Sequence, residues 1–246
     1  MQGDETPQVA IVTGGARGIG RSIAALLVER RWTTVAIDRH APATPDEGVH
    51  YLLADVRSSS QLDLAVRDVV EQYGRIDALV TSAGILRSGP THETSDEEWD
   101  EVIDVNLGGT FRAVRAVLPH MIAAGRGSLV LLSSVHARAT VPQAGAYAAS
   151  KGAVISFAQE LAVEYADVGV RANSLVIGSV DTDMTTLHKK YIDEGGIAVS
   201  PPAGRIGRMA APEEIAPMAV FLASAESSFV TGSAMRIDGG LLARLL

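Results

Sequence analysis

Tyr147 and Lys151 stand four positions apart in the stretch AYAASKGA, residues 146–153, among neighbours that are nearly all small. Side chains at positions i and i+4 lie one above the other on one face of a helix, so the phenol and the ammonium can act at a single point. Nearly every other cation in the chain is an arginine, whereas a buried lysine is a compact charge whose pKa can shift. The pair therefore predicts proton transfer at the phenol, against the alternative of a weak surface contact.

A glycine-rich turn, TGGARGIG at residues 13–20, follows the first apolar run of the chain. Glycines let the backbone approach a pyrophosphate, and the helix that opens there offers unpaired N–H groups and the positive end of its dipole. The second apolar run ends in Asp38, whose carboxylate can accept both hydroxyls of an adenine ribose. Each feature alone is common in turns, but the two together predict a dinucleotide site.

Seven short apolar runs must place these residues at one edge of a sheet. They are VAIVTG, TTVAID, VHYLLAD, DALVTSAG, SLVLLSS, VRANSLV and AMRID. Between them, apolar residues recur at helical spacing over residues 62–73 and again over 99–122. Continuous apolar strands that alternate with helices indicate a parallel sheet covered on both faces. We therefore predict an α/β protein with a Rossmann-type doubly wound sheet.

Two stretches break this alternation. Ten residues lie between Asp38 and Val49, which is short for a parallel crossover, so the helix there is predicted to be absent or a single turn. Over residues 184–208 the strand signal lapses in a polar segment with GG and PP, which we interpret as a lid over the substrate. No linker divides the chain, so residues 1–246 are predicted to form one domain.

The composition excludes several classes of function. The net charge is −8 and the chain lacks a basic cluster, so we expect no nucleic-acid partner. No apolar run approaches the length of a membrane span, and the absence of cysteine suits a reducing compartment. Asp181 and Asp183 are the carboxylates that best suggest a metal, but no further ligands cluster near them in sequence. We expect a cytoplasmic protein with no metal and no membrane contact.

Taken together, these motifs resemble the short-chain dehydrogenase/reductase family over nearly the whole chain. TGGARGIG has the family's TGxxxGxG spacing, AYAASK has its YxxxK, and Ser134 lies thirteen residues before Tyr147. The resemblance implies four catalytic residues: Ser134, Tyr147, Lys151 and Asn106. It also implies the following cofactor contacts: Gly14, Arg17, Gly18, Ile19, Gly20, Asp38, Asp55, Val56, Ser82, Ala83, Gly84, Tyr147, Lys151, Val180 and Thr182.

Two positions depart from the family's pattern. Residues 82–84 read Ser-Ala-Gly where the family usually has Asn-Ala-Gly, and Ile177-Gly178 stands where it has Pro-Gly. The first change is expected to weaken a hydrogen bond that braces the strands. The second is expected to alter how Val180 and Thr182 meet the nicotinamide carboxamide. Neither change affects the group that transfers the proton.

The predicted chemistry centres on the phenol. A phenol with a pKa near 10 is a poor base at neutral pH, but an adjacent ammonium and a positively charged nicotinamide both favour the phenolate. Tyr147 can then take the proton of an alcohol as hydride leaves the carbon, while Ser134 contacts the substrate oxygen and Lys151 reaches the ribose hydroxyls. Asn106 would hold a water relay from Lys151; the alternative is a buried amide satisfied by the protein.

The sequence also indicates which residues contact the substrate. Ser134, His136, Tyr147 and Met184 are candidate substrate contacts, although an exposed loop histidine is an equally good interpretation of His136. SAGILRSG and DTDM look like the dihydrodiol dehydrogenases of catecholate synthesis, whereas SSVH looks like sugar dehydrogenases. We therefore predict an NAD-dependent oxidoreductase that interconverts a small secondary alcohol (polyol, sugar, cyclic alcohol or dihydrodiol) and the ketone.

Two alternatives stay open. The first is an NADPH-dependent carbonyl or 3-ketoacyl reductase: Arg17 is compatible with a 2′-phosphate, but Asp38 would repel one. Reductases of carrier-bound acyl chains also tend to have a basic residue where this chain has Val168. The second is a noncatalytic dinucleotide-binding scaffold, which the intact catalytic set opposes. The closing LLARLL is too apolar for a free tail, so we predict burial at a subunit interface, and the family resemblance implies a homotetramer.

Overall fold

The sheet is parallel throughout and follows the order β3-β2-β1-β4-β5-β6-β7 in a computed structural model that describes residues 7–186 and 205–243. Its strands are β1 (Val9–Thr13), β2 (Thr33–Asp38), β3 (Val49–Leu53), β4 (Ala78–Thr81), β5 (Gly127–Ser134), β6 (Val170–Ile177) and β7 (Ala234–Ile237). All seven predicted strands and the doubly wound fold are confirmed. The strand order reverses between β1 and β4, and ligands of such sheets bind at the carboxyl ends of the strands beside that point.

Helices cover both faces of the sheet. They are α1 (Gly18–Glu29), α2 (Ser59–Tyr73), α3 (Asp96–Ile103), α4 (Gly109–Ala124), α5 (Gly145–Glu164) and α6 (Pro212–Ala223). Along β1, Val9 and Ile11 pack on the side of α2, α4 and α5, whereas Ala10 and Val12 pack on the side of α1 and α6. This alternation buries both faces of the strand, which is why its sequence is continuously apolar. Within the described ranges no helix has the length and apolarity needed to cross a bilayer.

The helix predicted over residues 99–122 is interrupted. A π-helical turn, Asp104–Gly108, joins α3 to α4. In this wider turn the hydroxyl of Thr110 donates to the carbonyl of Asn106 at 2.7 Å, and the guanidinium of Arg112 donates to the carbonyl of Asp104 at 3.3 Å. The helical spacing over residues 99–122 is confirmed, and the π-helical turn within it was not predicted because apolar spacing hardly registers one extra residue in a turn.

The segment between β2 and β3 contains no helix, as predicted. Arg21 of α1 donates to both carboxylate oxygens of Asp46, at 2.7 and 2.8 Å, and the hydroxyl of Tyr51 donates to the same carboxylate at 2.9 Å. The hydrogen bonds from Arg21 are the main cause that lowers the pKa of Asp46. An ion pair thus fastens this short crossover to α1 in place of helix packing.

The apolar end of the chain finds partners within the chain itself. Leu241 and Leu242 are half-buried against Val135, Ile155 and Val176. These contacts cover part of each leucine, and burial of the rest at a subunit interface stays a prediction. Residues 244–246, the rest of the predicted interface segment, lie outside the described residues.

Candidate active site

The end of β5 and the start of α5 bring Ser134 and Tyr147 together. Ser134 is the last residue of β5 and Tyr147 lies in the first turn of α5, and their side chains share a hydrogen bond. Both residues are buried, with 6% and 9% of their surface exposed. The backbone N–H of His136 donates to the hydroxyl of Ser134 at 3.3 Å. The predicted hydroxyl and phenol are therefore held side by side at the carboxyl edge of the sheet.

Lys151 lies one helical turn beyond Tyr147, as the spacing predicted. Its ammonium donates to the carbonyl of Leu132 at 2.9 Å and lies 5.7 Å from the centre of the Tyr147 ring. Leu132 is one residue past the last paired residues of β4 and β5, Thr81 and Leu131, so the ammonium sits where the two strands part. Burial lowers the pKa of Lys151 from 10.5 to about 8. A neutral amine is therefore accessible near neutral pH.

Burial acts on the phenol in the opposite direction. It raises the pKa of Tyr147 above its ordinary value of 10, and the hydrogen bond with Ser134 offsets this only in part. The sequence led us to expect that the ammonium of Lys151 would favour the phenolate. In the chain by itself, burial outweighs that effect. Deprotonation of Tyr147 at neutral pH therefore requires a further positive charge in the site.

Asn106 is fully buried in the π-helical turn, and its amide is used by the protein. Its oxygen accepts the backbone N–H of Ile85 at 2.8 Å, and its NH₂ donates to the carbonyl of Ile85 at 2.9 Å and to the hydroxyl of Ser150 at 3.0 Å. Ser150 in turn donates to the carbonyl of Tyr147 at 2.7 Å. The side chain thus matches the alternative of a satisfied buried amide, and a role in a water relay stays a prediction.

Two serines that the sequence analysis did not single out hold the catalytic helix. The hydroxyl of Ser133 donates to the carbonyl of Lys151 at 2.7 Å, which ties α5 to β5, and Ser150 connects Tyr147 to Asn106. Both are adjacent in sequence to predicted catalytic residues. That adjacency was the available signal, but it does not reveal where a hydroxyl points.

The glycines of the first turn are required by close packing. Gly14 has φ +69°, and a Cβ placed there would lie 2.6 Å from the backbone nitrogen of Ala83. A Cβ at Gly20 would lie 2.2 Å from the carbonyl oxygen of Gly14. Gly18 has φ +53° and faces the methyl group of Thr182. This bare backbone at the start of α1 fits the pyrophosphate of a dinucleotide.

Asp38 lies beside the glycine turn, as its predicted role requires. Its carboxylate accepts the backbone N–H of Ala16 at 3.1 Å and that of His40 at 3.2 Å. Arg17, the next residue of the turn, has its guanidinium 3.5 Å from the carboxylate of Asp183, and both side chains are largely exposed. The sequence did not predict that Arg17 would pair with the segment after β6.

Asp55 and Val56 are two of the predicted cofactor contacts, and Asp55 has a partner that the sequence did not reveal. Arg57 forms an ion pair with Asp55 at 2.6 Å. The hydrogen bonds from the Arg57 side chain are the main cause that lowers the pKa of Asp55. Val56 is buried, and a Cβ at Gly109 would lie 2.7 Å from its side chain. Any hydrogen bond between Asp55 and an adenine must therefore share the carboxylate with Arg57.

The remaining predicted cofactor contacts surround the same turn. The backbone N–H of Ser82 donates to the carbonyl of Thr13 at 3.1 Å, so the strands are bridged there by the main chain. A Cβ at Gly84 would lie 3.3 Å from the amide oxygen of Asn106 and 3.6 Å from the ammonium of Lys151. Val180 forms an isolated bridge with Ala210, and Ile19 is half-buried on the α1 side.

Two of the predicted substrate contacts, the polar His136 and the apolar Met184, lie beside Tyr147. The ring of His136 stands edge-on to that of Tyr147, with centres 5.5 Å apart, and its Nδ1 lies 2.8 Å from the hydroxyl of Thr140. Met184 packs with Tyr147 in a small apolar cluster; its other members are Ile85, Leu86, Val102 and Ala146. His136 is thus half-buried beside the phenol, and its contact with substrate stays a prediction. Among the residues that the structure describes, no three His, Asp or Glu side chains group as a metal site requires.

The predicted lid over residues 184–208 falls largely on residues 187–204, which lie outside those described. Its two ends lie within the described ranges. The first end contains Met184, which packs beside Tyr147. At the second end, Arg208 donates to both carboxylate oxygens of Glu214, at 2.6 and 2.8 Å. The segment is therefore attached at one end to the substrate side of the site and at the other to the start of α6.

Comparison with known proteins identifies the family. The family model described as "Enoyl-(Acyl carrier protein) reductase" matches residues 14–242. The 3-oxoacyl-(acyl-carrier-protein) reductase FabG of Thermotoga maritima is 37% identical, over 96% of this chain and 98% of the relative. The cyclopentanol dehydrogenase of Comamonas sp. is 36% identical, over 96% and 97%. The chain belongs to the short-chain dehydrogenase/reductase family and is an oxidoreductase that acts on CH–OH groups.

Solved structures show the same fold. The aldohexose dehydrogenase of Thermoplasma acidophilum has a TM-score of 0.88 and 32% identity over 98% of this chain and 96% of its own. Carveol dehydrogenase from Mycobacterium avium, in complex with NAD, has a TM-score of 0.87 and 30% identity over 98% and 99%. A gluconate 5-dehydrogenase from Burkholderia cenocepacia, in complex with NADP and tartrate, has a TM-score of 0.85 and 30% identity over 98% and 97%. The family uses a nicotinamide cofactor, and these neighbours include both forms of it.

Proposed function

We propose that this protein is an NAD-dependent oxidoreductase that interconverts a small secondary alcohol and the corresponding ketone. The observation that carries the proposal is the buried set of Ser134, Tyr147 and Lys151 beside the glycine turn. A noncatalytic scaffold would have no reason to bury an ammonium and a phenol together, because burial disfavours the charged form of each group.

Each side chain has a defined task in this proposal. The nicotinamide, when bound, accepts or donates the hydride and supplies a positive charge in its oxidised form. The hydroxyl of Ser134 hydrogen-bonds the substrate oxygen, and the phenol of Tyr147 takes its proton. Lys151 holds a second positive charge near the phenol and reaches the ribose hydroxyls. The raised pKa of Tyr147 in the chain alone makes this pair of charges necessary for the base to form.

The preference for NAD over NADP rests on Asp38. Its carboxylate lies beside the glycine turn, where it can accept the two hydroxyls of the adenine ribose. A charge-assisted hydrogen bond contributes roughly 1.5 to 3 kcal/mol, and a 2′-phosphate would lose such bonds and meet like charge. The exposed Arg17 and Arg39 would offset about 1 kcal/mol or less each. With two such bonds and two such offsets, the balance favours NAD⁺ by about 1 to 4 kcal/mol before the repulsion is counted, or roughly 5- to 900-fold.

The kinetic test of this preference compares kcat/KM for NAD⁺ and NADP⁺ with one alcohol, in the wild type and in Asp38→Ser. We expect the preference for NAD⁺ to fall most of the way to parity in the variant. Equal efficiency in the wild type, or an unchanged ratio in Asp38→Ser, would show that Asp38 does not face the ribose.

The substrate class follows from the walls around Tyr147. The apolar cluster with Met184 and the ring of His136 enclose the phenol closely, which suits a small or cyclic alcohol. The test is to screen polyols, sugars, cyclic alcohols and dihydrodiols for reduction of NAD⁺. Reduction of NAD⁺ by none of these classes, in a protein that binds the cofactor, would reject the proposal.

A 3-ketoacyl reductase is the second candidate, because relatives include FabG enzymes. The position before Gly169 carries Val168, which is partly exposed and uncharged, and the chain has a net charge of −8. Neither feature attracts an acidic carrier protein. Turnover of a carrier-bound 3-ketoacyl chain with NADPH, at a higher kcat/KM than any free alcohol or ketone, would favour this candidate.

Two further parts of the proposal concern the lid and the assembly. Residues 184–208 would close over bound cofactor and substrate, so hydrogen exchange there should slow in the ternary complex. A homotetramer is supported by apolar side chains left exposed on α4, on α5 and before β7: Phe111, Val163 and Phe229. Light scattering that gives the mass of a single chain at micromolar concentration would reject the tetramer.

A further inference from the structure

Gln143 has a strained backbone at a position next to the catalytic helix. Its φ is +66°, and Arg31 is the only other non-glycine residue with a positive φ in the described ranges. Glutamine gains nothing from this left-handed conformation, which glycine adopts without steric cost. Ala144, the residue that follows, is the N-cap of α5 and is buried. The backbone is therefore strained four residues before Tyr147, at a position where glycine would carry no steric cost.

The side chain of Gln143 also buries an unused polar atom. Its amide oxygen is buried and has no hydrogen-bond partner among the described residues. Burying an amide without a partner costs free energy, and the positive φ of the backbone costs more. Gln143 therefore destabilises the ligand-free protein in two ways. A ligand that supplies the missing partner would explain why both costs are tolerated.

The backbone of Gln143 is joined to a segment that lies beside Tyr147. Its carbonyl accepts the backbone N–H of Gly89 at 3.1 Å, which joins this loop to the segment after β4 that contains Ile85 and Leu86 of the apolar cluster. The same loop begins at Ser134 and carries His136 beside the Tyr147 ring. The loop that carries Gln143 thus contributes the ring of His136 to the surroundings of the phenol, and the cluster with Met184 contributes apolar side chains.

We propose that Gln143 is a specificity-determining residue that binds a second hydroxyl of the substrate, so that the preferred alcohols are diols or polyols. A hydroxyl both donates and accepts, so it satisfies the amide whichever end of the amide it meets. A site built to hydrogen-bond a hydroxyl discriminates against the analogue that lacks it, because the buried amide is then left unpaired. This inference rests on the proposed alcohol oxidation and narrows its substrate.

The experiment compares vicinal trans-cyclohexanediol with cyclohexanol, which differ by one hydroxyl. The ratio of their kcat/KM values with NAD⁺ is measured in the wild type, in Gln143→Met and in Gln143→Gly. Methionine keeps the length of the side chain but removes the amide, and glycine also relieves the strained φ, so at least one variant should fold with an undiminished melting temperature. We expect the diol-to-alcohol ratio to fall at least tenfold in both.

Arg31→Gly is the matched control, because it relieves the other positive φ at an exposed position outside the site and should leave the ratio within twofold. A ratio that stays within twofold in both Gln143 variants, or a wild type that oxidises cyclohexanol but not the diol, would overturn the assignment of Gln143 while leaving alcohol oxidation intact. A wild type that reduces NAD⁺ with neither alcohol, nor with any other in the screen, would instead count against the proposed function.

Discussion

The buried ammonium of Lys151 should make the stability of the cofactor-free protein depend on pH, and Lys151→Met should remove that dependence. Burial lowers the pKa of Lys151 from 10.5 to about 8. Between these values the unfolded chain holds a proton that the native chain has released, so the stability of the native state rises as pH rises through this window. Below pH 8 both states are protonated, and the native state bears the full cost of the buried charge.

The size of the effect follows from the same two values. A shift from 10.5 to about 8 corresponds to about 3 kcal/mol over the full titration. Most of this develops between about pH 7 and about pH 10. Methionine also loses the hydrogen bond to the carbonyl of Leu132, but that loss shifts the difference between the two proteins by a constant and does not change with pH.

The assay is urea unfolding of wild type and Lys151→Met at several pH values from about 7 to about 10, without cofactor. Both proteins keep Tyr147, so the titration of the phenol cancels in the comparison. We expect the wild type to gain about 2 to 3 kcal/mol relative to the variant across this range. Gly152→Ala, which changes no ionisable group, should show a constant difference. A Lys151→Met difference that stays within about 0.5 kcal/mol would refute the depressed pKa.

Other predictions concern the phenol, its partner and the glycine turn. Tyr147→Phe removes the proton acceptor but keeps the ring, so kcat should fall by at least tenfold, to below about a tenth of wild type at about pH 8, with NADH affinity nearly unchanged; larger residual turnover would exclude Tyr147 as the base. Ser134→Ala removes the hydrogen bond that lowers the pKa of Tyr147, so kcat should drop by about 10²-fold and the rise of kcat/KM for alcohol oxidation should move to higher pH. A pH profile that does not move would contradict the effect of Ser134 on the pKa of Tyr147. Gly20→Ala places a Cβ 2.2 Å from a backbone oxygen and should abolish NADH binding or folding. Gly152→Ala, with open space around it, should stabilise α5 by about 0.5–1 kcal/mol. Equal melting temperatures for the two variants would show that the added Cβ at position 20 causes no clash.

The main elements of the site were predictable because the interactions behind them are local. A strand buried on both faces must be apolar throughout, so β1 and β5 could be located from composition alone. The spacing of Tyr147 and Lys151 places them on one helical face in any α-helix. The shortness of the crossover after Asp38 leaves no room for a helix. Each of these predictions depends on residues that are close together in the chain.

What the tertiary structure decided depends on residues that are far apart. The amide of Asn106 is satisfied by Ile85 and Ser150, 21 and 44 positions away, so no local pattern could distinguish a structural amide from a water-binding one. The pKa of Tyr147 rises because packing removes water from it, and the degree of burial is a property of the assembled layers.

Asp38, Asp55 and Gln143 show the same difference between local and long-range information. The sequence by itself determined that Asp38 ends a strand beside a glycine turn. Only the folded chain showed that Asp55 shares its charge with Arg57 and that Gln143 holds a buried, unpaired amide at a positive φ. Local sequence sets helical period, strand burial and steric limits, whereas desolvation and long-range hydrogen bonds exist only once distant segments have been brought into contact.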